Sequence, residues 1–492
     1  MKTYQHFIAG EWSEPSERCY IETVNPATDE VWAQIARGTP ADADVAVRAA
    51  HGAVTTGAWA ASTPGQRAKT LAELADLLEA RWPELVEAEI RDNGKRIAEV
   101  NGQFAGLHAW YRHFAAEALN ISAEHLETGF PGVENTLHYE PFGVVAAITP
   151  WNSPLMIAAW KLGPALAAGN AVVIKPSEMA SASTLEFAAL AGDVLPAGVV
   201  NVITGYGHEV GEALVRHALV GKVTFTGSDR GGVKVAEAAA SGIKPVTLEL
   251  GGKAPQVVFA DADLDNAANG ILSGIFLSNG QTCVAGARLI VEREVHDELA
   301  GKLKDRAQGL TAGDPLDPAT EIAPLANKPH LDKVISSIEK ARAEGAKCIC
   351  GGERLRPPGC SDGYFVSPAI FSGVTQEMEL WREEIFGPVL AITAFDDEDE
   401  AVRLANDTDY GLAAGIWTSD EARGARLAAQ IAAGTVYINH YRNVAAGSPI
   451  GGYKRSGYGR ELGPDAVKDF LQVKSVWKGT APMPDPFPQH AG

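Results

Sequence analysis

Cysteine is scarce in this chain, and the little there is forms no pattern. Cys19, Cys283, Cys348, Cys350 and Cys360 are scattered over 492 residues. An odd count at low density, with no CxxC pair, supports neither a disulfide framework nor a zinc site, so no metal is expected. Cys348 and Cys350 flank Ile349 on a strand-like run where alternation turns both the same way. With no histidine near them in sequence, they read as a chance pair. Basic charge is lacking too: 42 Lys and Arg stand against 62 Asp and Glu, a formal net charge of −20. That excludes nucleic acid and anionic membrane surfaces as main partners, although a local basic pocket for phosphates stays open. Long apolar runs are also missing. The most apolar stretch, 155–173, is interrupted by Lys161, Gly163, Pro164, Gly169 and Asn170, which makes it a poor membrane span. The opening MKTYQHFIAGEWSE has no apolar core of a signal peptide. A reducing cytoplasm and no membrane are expected.

Apolar residues make up 46% of the chain and charged residues 21%, an ordinary balance for a buried core. The length suits two large domains or about three average ones. Residues 41–120 carry apolar residues at helical spacing. From Phe142 the texture changes to short β-rich runs alternating with helical ones: GVVAAIT, PLMIAAWKLGPALAAG, AVVIKP, SASTLEFAALAGDVL, VVNVITG, HEVGEALVRHAL, KVTFTG and PVTLEL. Such alternation predicts βαβ units and a parallel sheet. A second series follows, with ILSGIFLSN as helix, ARLIVER as strand, two amphipathic helices across 295–345, and PVLAITAF, GLAAGIWTS and GTVYIN as strands. The class is therefore α/β, with a second α/β domain and no internal repeat. The acidic run Asp396–Glu400 suits the first turn of a helix. The proline-rich run 481–492 reads as a mobile tail.

Two glycine turns follow consecutive strands. One is Gly205-Tyr-Gly207-His-Glu-Val-Gly211, a GxGxxxG spacing; the other runs from Phe225-Thr-Gly227-Ser228 to Gly232. A helix start at either would offer free N–H groups and a positive dipole end to a pyrophosphate. Each alone is an ordinary turn; two in succession favour a dinucleotide. Cys283 ends Asn279-Gly-Gln-Thr-Cys, a small and polar setting where a thiol near loop N–H groups ionises more easily, although isolated cysteines are usually inert core residues. Glu249 ends the apolar strand-like PVTLEL before Gly251-Gly252, and reads equally as a loop carboxylate or a poised base.

The motifs together resemble the aldehyde dehydrogenase superfamily along nearly the whole chain, from Asn25-Pro26-Ala27-Thr28 to Lys474-Ser475-Val476. TPWNSPL at 149–155, VVIKPSE at 172–178, FTGS at 225–228, LELGGK at 248–253, NGQTC at 279–283, EEIFGPV at 383–389 and PIGGYKRSGYGRELG at 449–463 occur in order. Glu249 and Cys283 stand 34 positions apart, a separation that matches the hydrolytic, non-acylating members. The resemblance implies a Rossmann-like NAD-binding domain at 1–122 and 143–251 and an α/β catalytic domain at 252–470. It also implies a β oligomerisation arm and C-terminal tail at 123–142 and 471–492, and a homodimer or homotetramer. It makes Cys283 the nucleophile, Asn152 an oxyanion donor and Glu249 the base for thioester hydrolysis. Glu461 would relay protons from Glu249, where a structural salt bridge is the alternative. NAD would lie along Ile148, Trp151, Lys175, Glu178, Gly207, Gly211, Phe225, Gly227, Ser228, Gly232, Leu250, Glu384 and Phe386. CoA-acylating and phosphorylating relatives commonly lack the counterpart of Glu249, which disfavours both. A structural relative without activity usually loses residues that are intact here.

The substrate pocket implied by the resemblance comprises Ser153, Trp160, Thr282, Val284, Arg442, Val444 and Ile450. Ser153, Val444 and Ile450 stand where members acting on small aldehydes often carry aromatic rings, so a bulky aromatic or long-chain aldehyde is expected. Arg442 raises a carboxylated semialdehyde as the alternative, against a surface salt bridge as the ordinary use of a lone arginine.

Overall fold

A computed structural model of the chain describes residues 1–483 and 486. The strands Val144–Thr149 and Ala171–Pro176 are buried at every position, which is why they read as continuous apolar runs. They sit centrally in an eight-stranded sheet whose order is Gly457–Tyr458, Val246–Glu249, Val220–Thr226, Val144–Thr149, Ala171–Pro176, Val200–Val202, His6–Ile8, Glu11–Ser13. The five middle strands are parallel, and the neighbours at either end antiparallel. Chain order reverses at Val144–Thr149, the first of the parallel strands. In open α/β sheets ligands bind beyond the carboxyl ends of strands at such a reversal.

Helices Pro40–Thr55, Pro64–Arg81, Pro83–Asn93, Ile97–Phe104 and Leu107–Ala118 fill the region where helical spacing predicts them. The helix Pro154–Ala168 is apolar around nearly its whole circumference because it is enclosed on all sides. A seven-stranded sheet forms the second layer system, ordered Lys347–Cys350, Ala369–Ser372, Val389–Phe395, Arg288–Glu292, Pro255–Val258, Ala413–Trp417, Thr435–Ile438. All its pairings are parallel except the first. A third sheet is separate: Glu124–Leu126 and Leu471–Gly479 flank Val133–Pro141, antiparallel.

Several details differ from the reading of the sequence. The five short strands between Lys2 and Ala36 were not anticipated, because polar and apolar residues do not alternate cleanly in them. HEVGEALVRHAL opens as a π-turn, Gly207–Gly211, before five α-helical residues. ILSGIFLSN is not one helix, since Leu264–Ile275 ends before Asn279 and a 3₁₀ turn follows. A bulge between Cys348 and Cys350 breaks the alternation, leaving Cys350 buried and Cys348 half-exposed. The tail at 481–492, assigned with the arm, falls largely outside the described residues. Among the described residues, no helix is long and apolar enough to cross a membrane.

Candidate active site

The segment before Cys283 is backbone under strain. Ser278, Asn279 and Gly280 take φ of +53°, +51° and +69° in succession. Two of the three carry a Cβ, and such conformations persist only where surroundings hold them. Here Glu99 accepts the Ser278 N–H at 2.7 Å, and the Asn279 side chain donates to the Ala323 carbonyl. At Gly280 a Cβ would also meet the Gly387 carbonyl oxygen at 2.1 Å, so only glycine fits. The segment leads directly to Cys283, which lines open space on both sides.

Cys283 forms part of the wall of two cavities at once, and Asn152 and Ile157 share that position. One cavity, of about 500 Å³, contains all seven of the expected substrate residues: Ser153, Trp160, Thr282, Val284, Arg442, Val444 and Ile450. Sequence reasoning missed Gln103, Trp110 and Met156 on the same wall. Met156 and Trp160 lie one turn apart on Pro154–Ala168, and Trp110 packs against Trp160 with centroids 5.8 Å apart. That helical spacing was a usable signal, but in an all-apolar helix it does not say which face borders a void. No salt bridge to Arg442 exists among the described residues, so the ordinary explanation for it does not apply. Its guanidinium instead donates to the Ser273 carbonyl at 2.9 Å and the Ser278 hydroxyl at 3.0 Å.

The second cavity, of about 210 Å³, is walled by Trp151, Gly227, Ser228, Leu250, Glu384 and Phe386, with His330 and Lys333. Phe386, at φ +61°, sets its ring edge-on to Trp151 at 5.3 Å. Glu384 accepts the Gly252 N–H at 2.8 Å, and burial raises its carboxyl to about 7. Ser228 also borders a third cavity of about 600 Å³, together with Ile148, Lys175, Glu178, Gly207, Gly211 and Phe225. Ser228 caps the helix Asp229–Ala240 through a 3.1 Å bond from the Gly231 N–H. Lys175 is buried against Glu178 at 3.1 Å. Gly232 borders neither cavity; it lies under Leu250, where a Cβ would meet the side chain at 2.6 Å. The second and third cavities together suit a dinucleotide: they meet at Ser228, at the sheet's reversal and a helix start. Thr226 adds a buried hydroxyl without a partner on the wall of the second cavity.

Glu249 borders none of these cavities. It is buried at the end of its strand, with Oε1 accepting no hydrogen bond among the described residues. Burial holds its carboxyl well above the usual range, and the charge of Glu461 adds to this against Lys161 and Arg460. Behind it lies a buried triad: Lys161 donates to Glu461 and, at 3.0 Å, to the Thr224 hydroxyl, which donates to Glu461 at 3.2 Å. Lys161 was read only as an interruption of an apolar stretch. Glu461 is held by reciprocal backbone bonds to Ile450, both 2.8 Å. The Gly457 next to this loop has φ +115°, and a Cβ there would meet the Leu248 carbonyl oxygen at 2.0 Å; glycine lets the loop pair with the strand of Glu249. Burial pushes the Cys283 thiol up to about 12, with the charges of Glu249 and Glu384 adding, while N–H groups of Cys283 and Val284 oppose it. Asn152 donates one side-chain hydrogen to the Gln281 carbonyl at 2.9 Å, leaving its second for an oxyanion beside Cys283.

The model of the aldehyde dehydrogenase family matches residues 12–476. The chain is 43% identical to a betaine aldehyde dehydrogenase of Cereibacter sphaeroides, over 98% of each protein. It is 42% identical to an NADP/NAD-dependent aldehyde dehydrogenase of Escherichia coli, over 96% of this chain and 94% of the other. The structure superposes with a TM-score of 0.96 on betaine aldehyde dehydrogenase of Staphylococcus aureus in complex with NAD⁺, at 36% identity, covering 98% of this chain and 96% of the other.

Proposed function

We propose, from the premise that this chain belongs to the aldehyde dehydrogenase family, that it oxidises an aldehyde to the carboxylic acid with NAD through a thioester on Cys283. Aldehyde, NAD⁺ and water give carboxylate, NADH and two protons. The observation that carries this is the position of Cys283 and Asn152 on a wall common to a roomy apolar cavity and a dinucleotide-shaped one. The first test is NADH formation with aldehyde alone, then with CoA, then with phosphate; dependence on either addition overturns the hydrolytic reading.

Lys175, Glu178, Ser228, Glu384 and Phe386 would hold NAD, which when bound would supply a two-electron acceptor and a positive charge. Cys283 attacks the aldehyde carbon as thiolate, and the resulting oxyanion is met by the Asn152 amide and the Cys283 N–H. Such preorganised donors stabilise charge only where it develops. After oxidation a thioester remains on Cys283. Glu249, turning from Glu461 toward Cys283, takes a proton from the water that hydrolyses it. Glu461, held in place by Lys161 and Thr224, takes that proton on from Glu249. The same carboxylate disfavours release of the acyl group to CoA. The sheet of Leu471–Gly479 leaves Val473 and Trp477 largely exposed, and pairs this chain with others as a homodimer or homotetramer. Five unpaired cysteines suit a reducing, cytoplasmic setting.

NAD should be used in preference to NADP. Glu178 accepts from ribose hydroxyls near the adenine and meets a 2′-phosphate with like charge, while Lys175 partly offsets this. The kcat/KM ratio with the two cofactors measures it; a higher value with NADP overturns the role of Glu178.

Long or bulky aldehydes should outperform acetaldehyde. Each methylene that a short substrate lacks forgoes about 0.8 kcal/mol of transfer energy in the apolar cavity. With half of that realised in the transition state, hexanal exceeds acetaldehyde by about tenfold in kcat/KM. Ser153→Phe should narrow the cavity and shrink that advantage. An unchanged ranking in the variant, or acetaldehyde as the better substrate, defeats the wide-pocket reading.

A further inference from the structure

We infer that the aldehyde this site takes carries an anionic group, in the first place a carboxylate, held by Arg442. This rests on the proposed function above and names its substrate class. Arg442 lies on the wall of the cavity that Cys283 closes, and no aspartate or glutamate lies on that wall. The two hydrogen bonds to Ser273 and Ser278 use two of five guanidinium N–H donors, and no carboxylate pairs with it among the described residues. Its backbone is held at φ +73°, a conformation that a residue with a Cβ adopts only when its surroundings impose it. The loop 439–446 thus turns a cation inward at a conformational cost, where a smaller polar residue would satisfy the same carbonyl.

The carboxylate that acts on this cation does not line the cavity. Glu99, the carboxylate nearest behind it, receives the Ser278 N–H at 2.7 Å, the Ser278 hydroxyl at 3.3 Å and Arg96 at 3.1 Å. It holds Arg442 from behind through Ser278 and does not reach the cavity wall. A second cation stands beyond the same wall: Lys95 donates to the Ser153 hydroxyl at 2.5 Å and lies 3.4 Å from the Gln103 side-chain oxygen. Ser153 is the N-cap of Pro154–Ala168, yet its hydroxyl makes no cap bond and faces Lys95 instead. Arg442 and Lys95 therefore flank the cavity, while the carboxylates that act on them, Glu99 and Glu89, are absent from its wall. A planar guanidinium with free N–H pairs recognises a carboxylate through parallel hydrogen bonds. The same field repels a cationic aldehyde. Trp110 and Trp160, on the same wall, are left to cover the methylenes between the two ends.

The test is kcat/KM, with NAD saturating, for three matched series of four to about ten carbons: n-alkanals, ω-oxo carboxylates and ω-amino aldehydes. At the best chain length the oxo acid should exceed the matching alkanal by about tenfold or more, with the amine below both. Arg442→Gln should lower the oxo-acid-to-alkanal ratio by about thirtyfold, and Arg442→Lys should keep part of the preference because charge remains without the planar fork. Should Arg442→Gln fail to fold, product inhibition of the unaltered enzyme decides: dicarboxylates should bind about tenfold more tightly than matching monocarboxylates. An alkanal or amine best at every length, an unchanged ratio in Arg442→Gln, or equal inhibition by the two acids overturns the inference. Turnover of alkanals without preference for oxo acids overturns it alone; no NADH from any aldehyde removes the proposed function and this inference together.

Discussion

Cys283→Ala is expected to lower aldehyde oxidation by about 10⁴-fold or more while NAD still binds. The expected size follows from removing a nucleophile whose partners then have nothing to act upon, a loss that other residues do not share out. Asn152 would still offer its amide, and Lys175 and Glu178 would keep their place around the third cavity, which Cys283 does not border. Two measurements check this: steady-state NADH formation, and NAD affinity by protein fluorescence. Substantial turnover in the purified variant would mean another nucleophile, and lost NAD binding would mean that Cys283 supports the fold. The pH dependence has a definite sign. A thiol raised to about 12 is protonated at neutral pH, so the reactive fraction grows with pH wherever thiolate formation limits the rate. Glu249, also raised, must likewise lose its proton to act as base. The kcat/KM for aldehyde should rise from mildly acidic to alkaline pH.

Glu249→Gln is expected to slow steady-state turnover by about 10²- to 10⁴-fold, the usual loss when a general base is removed. An amide takes no proton from water, so the acyl-enzyme should accumulate after one round. Rapid mixing should then show up to one equivalent of NADH in a fast phase, followed by a slow one. The structure adds a second readout. The Glu249 charge is one cause of the raised Cys283 thiol, so removing it should ease thiolate formation and shift the alkaline rise of the fast phase to lower pH. If both phases fall equally, Glu249 serves chiefly to deprotonate Cys283. If neither falls, the base lies elsewhere.

Much of the architecture was legible because its signals are local. Strands such as Ala171–Pro176 announce themselves through unbroken β-branched and apolar residues, and Glu398–Asn406 through its acidic first turn behind the Asp397 cap. What escaped depended on partners far away in sequence. The strands of residues 2–36 owe their form to pairing with Val200–Val202 and with one another. Lys161 looked like a flaw in an apolar helix until Glu461, 300 positions on, came to meet it. Lys95 and Trp110 carried no motif that the reading used.

Composition, periodicity and ordered motifs by themselves determined the α/β class, the family and a short set of chemically able residues, because residue type and spacing carry hydrophobic pattern, turn chemistry and reactive groups directly. Only the tertiary structure decided which of them share a wall. It placed Cys283 and Asn152 on a wall common to two cavities, packed Gly232 under Leu250, and buried Glu249 under the influence of Glu461 rather than on a cavity wall. It also showed Arg442 on the wall of the substrate cavity with no carboxylate directly paired to it among the described residues, where sequence left a surface pair as the simpler account. The physical reason is range: a hydrogen bond or an uncompensated charge depends on distances of a few ångströms between groups that the chain separates by tens to hundreds of residues, and only folding sets those distances.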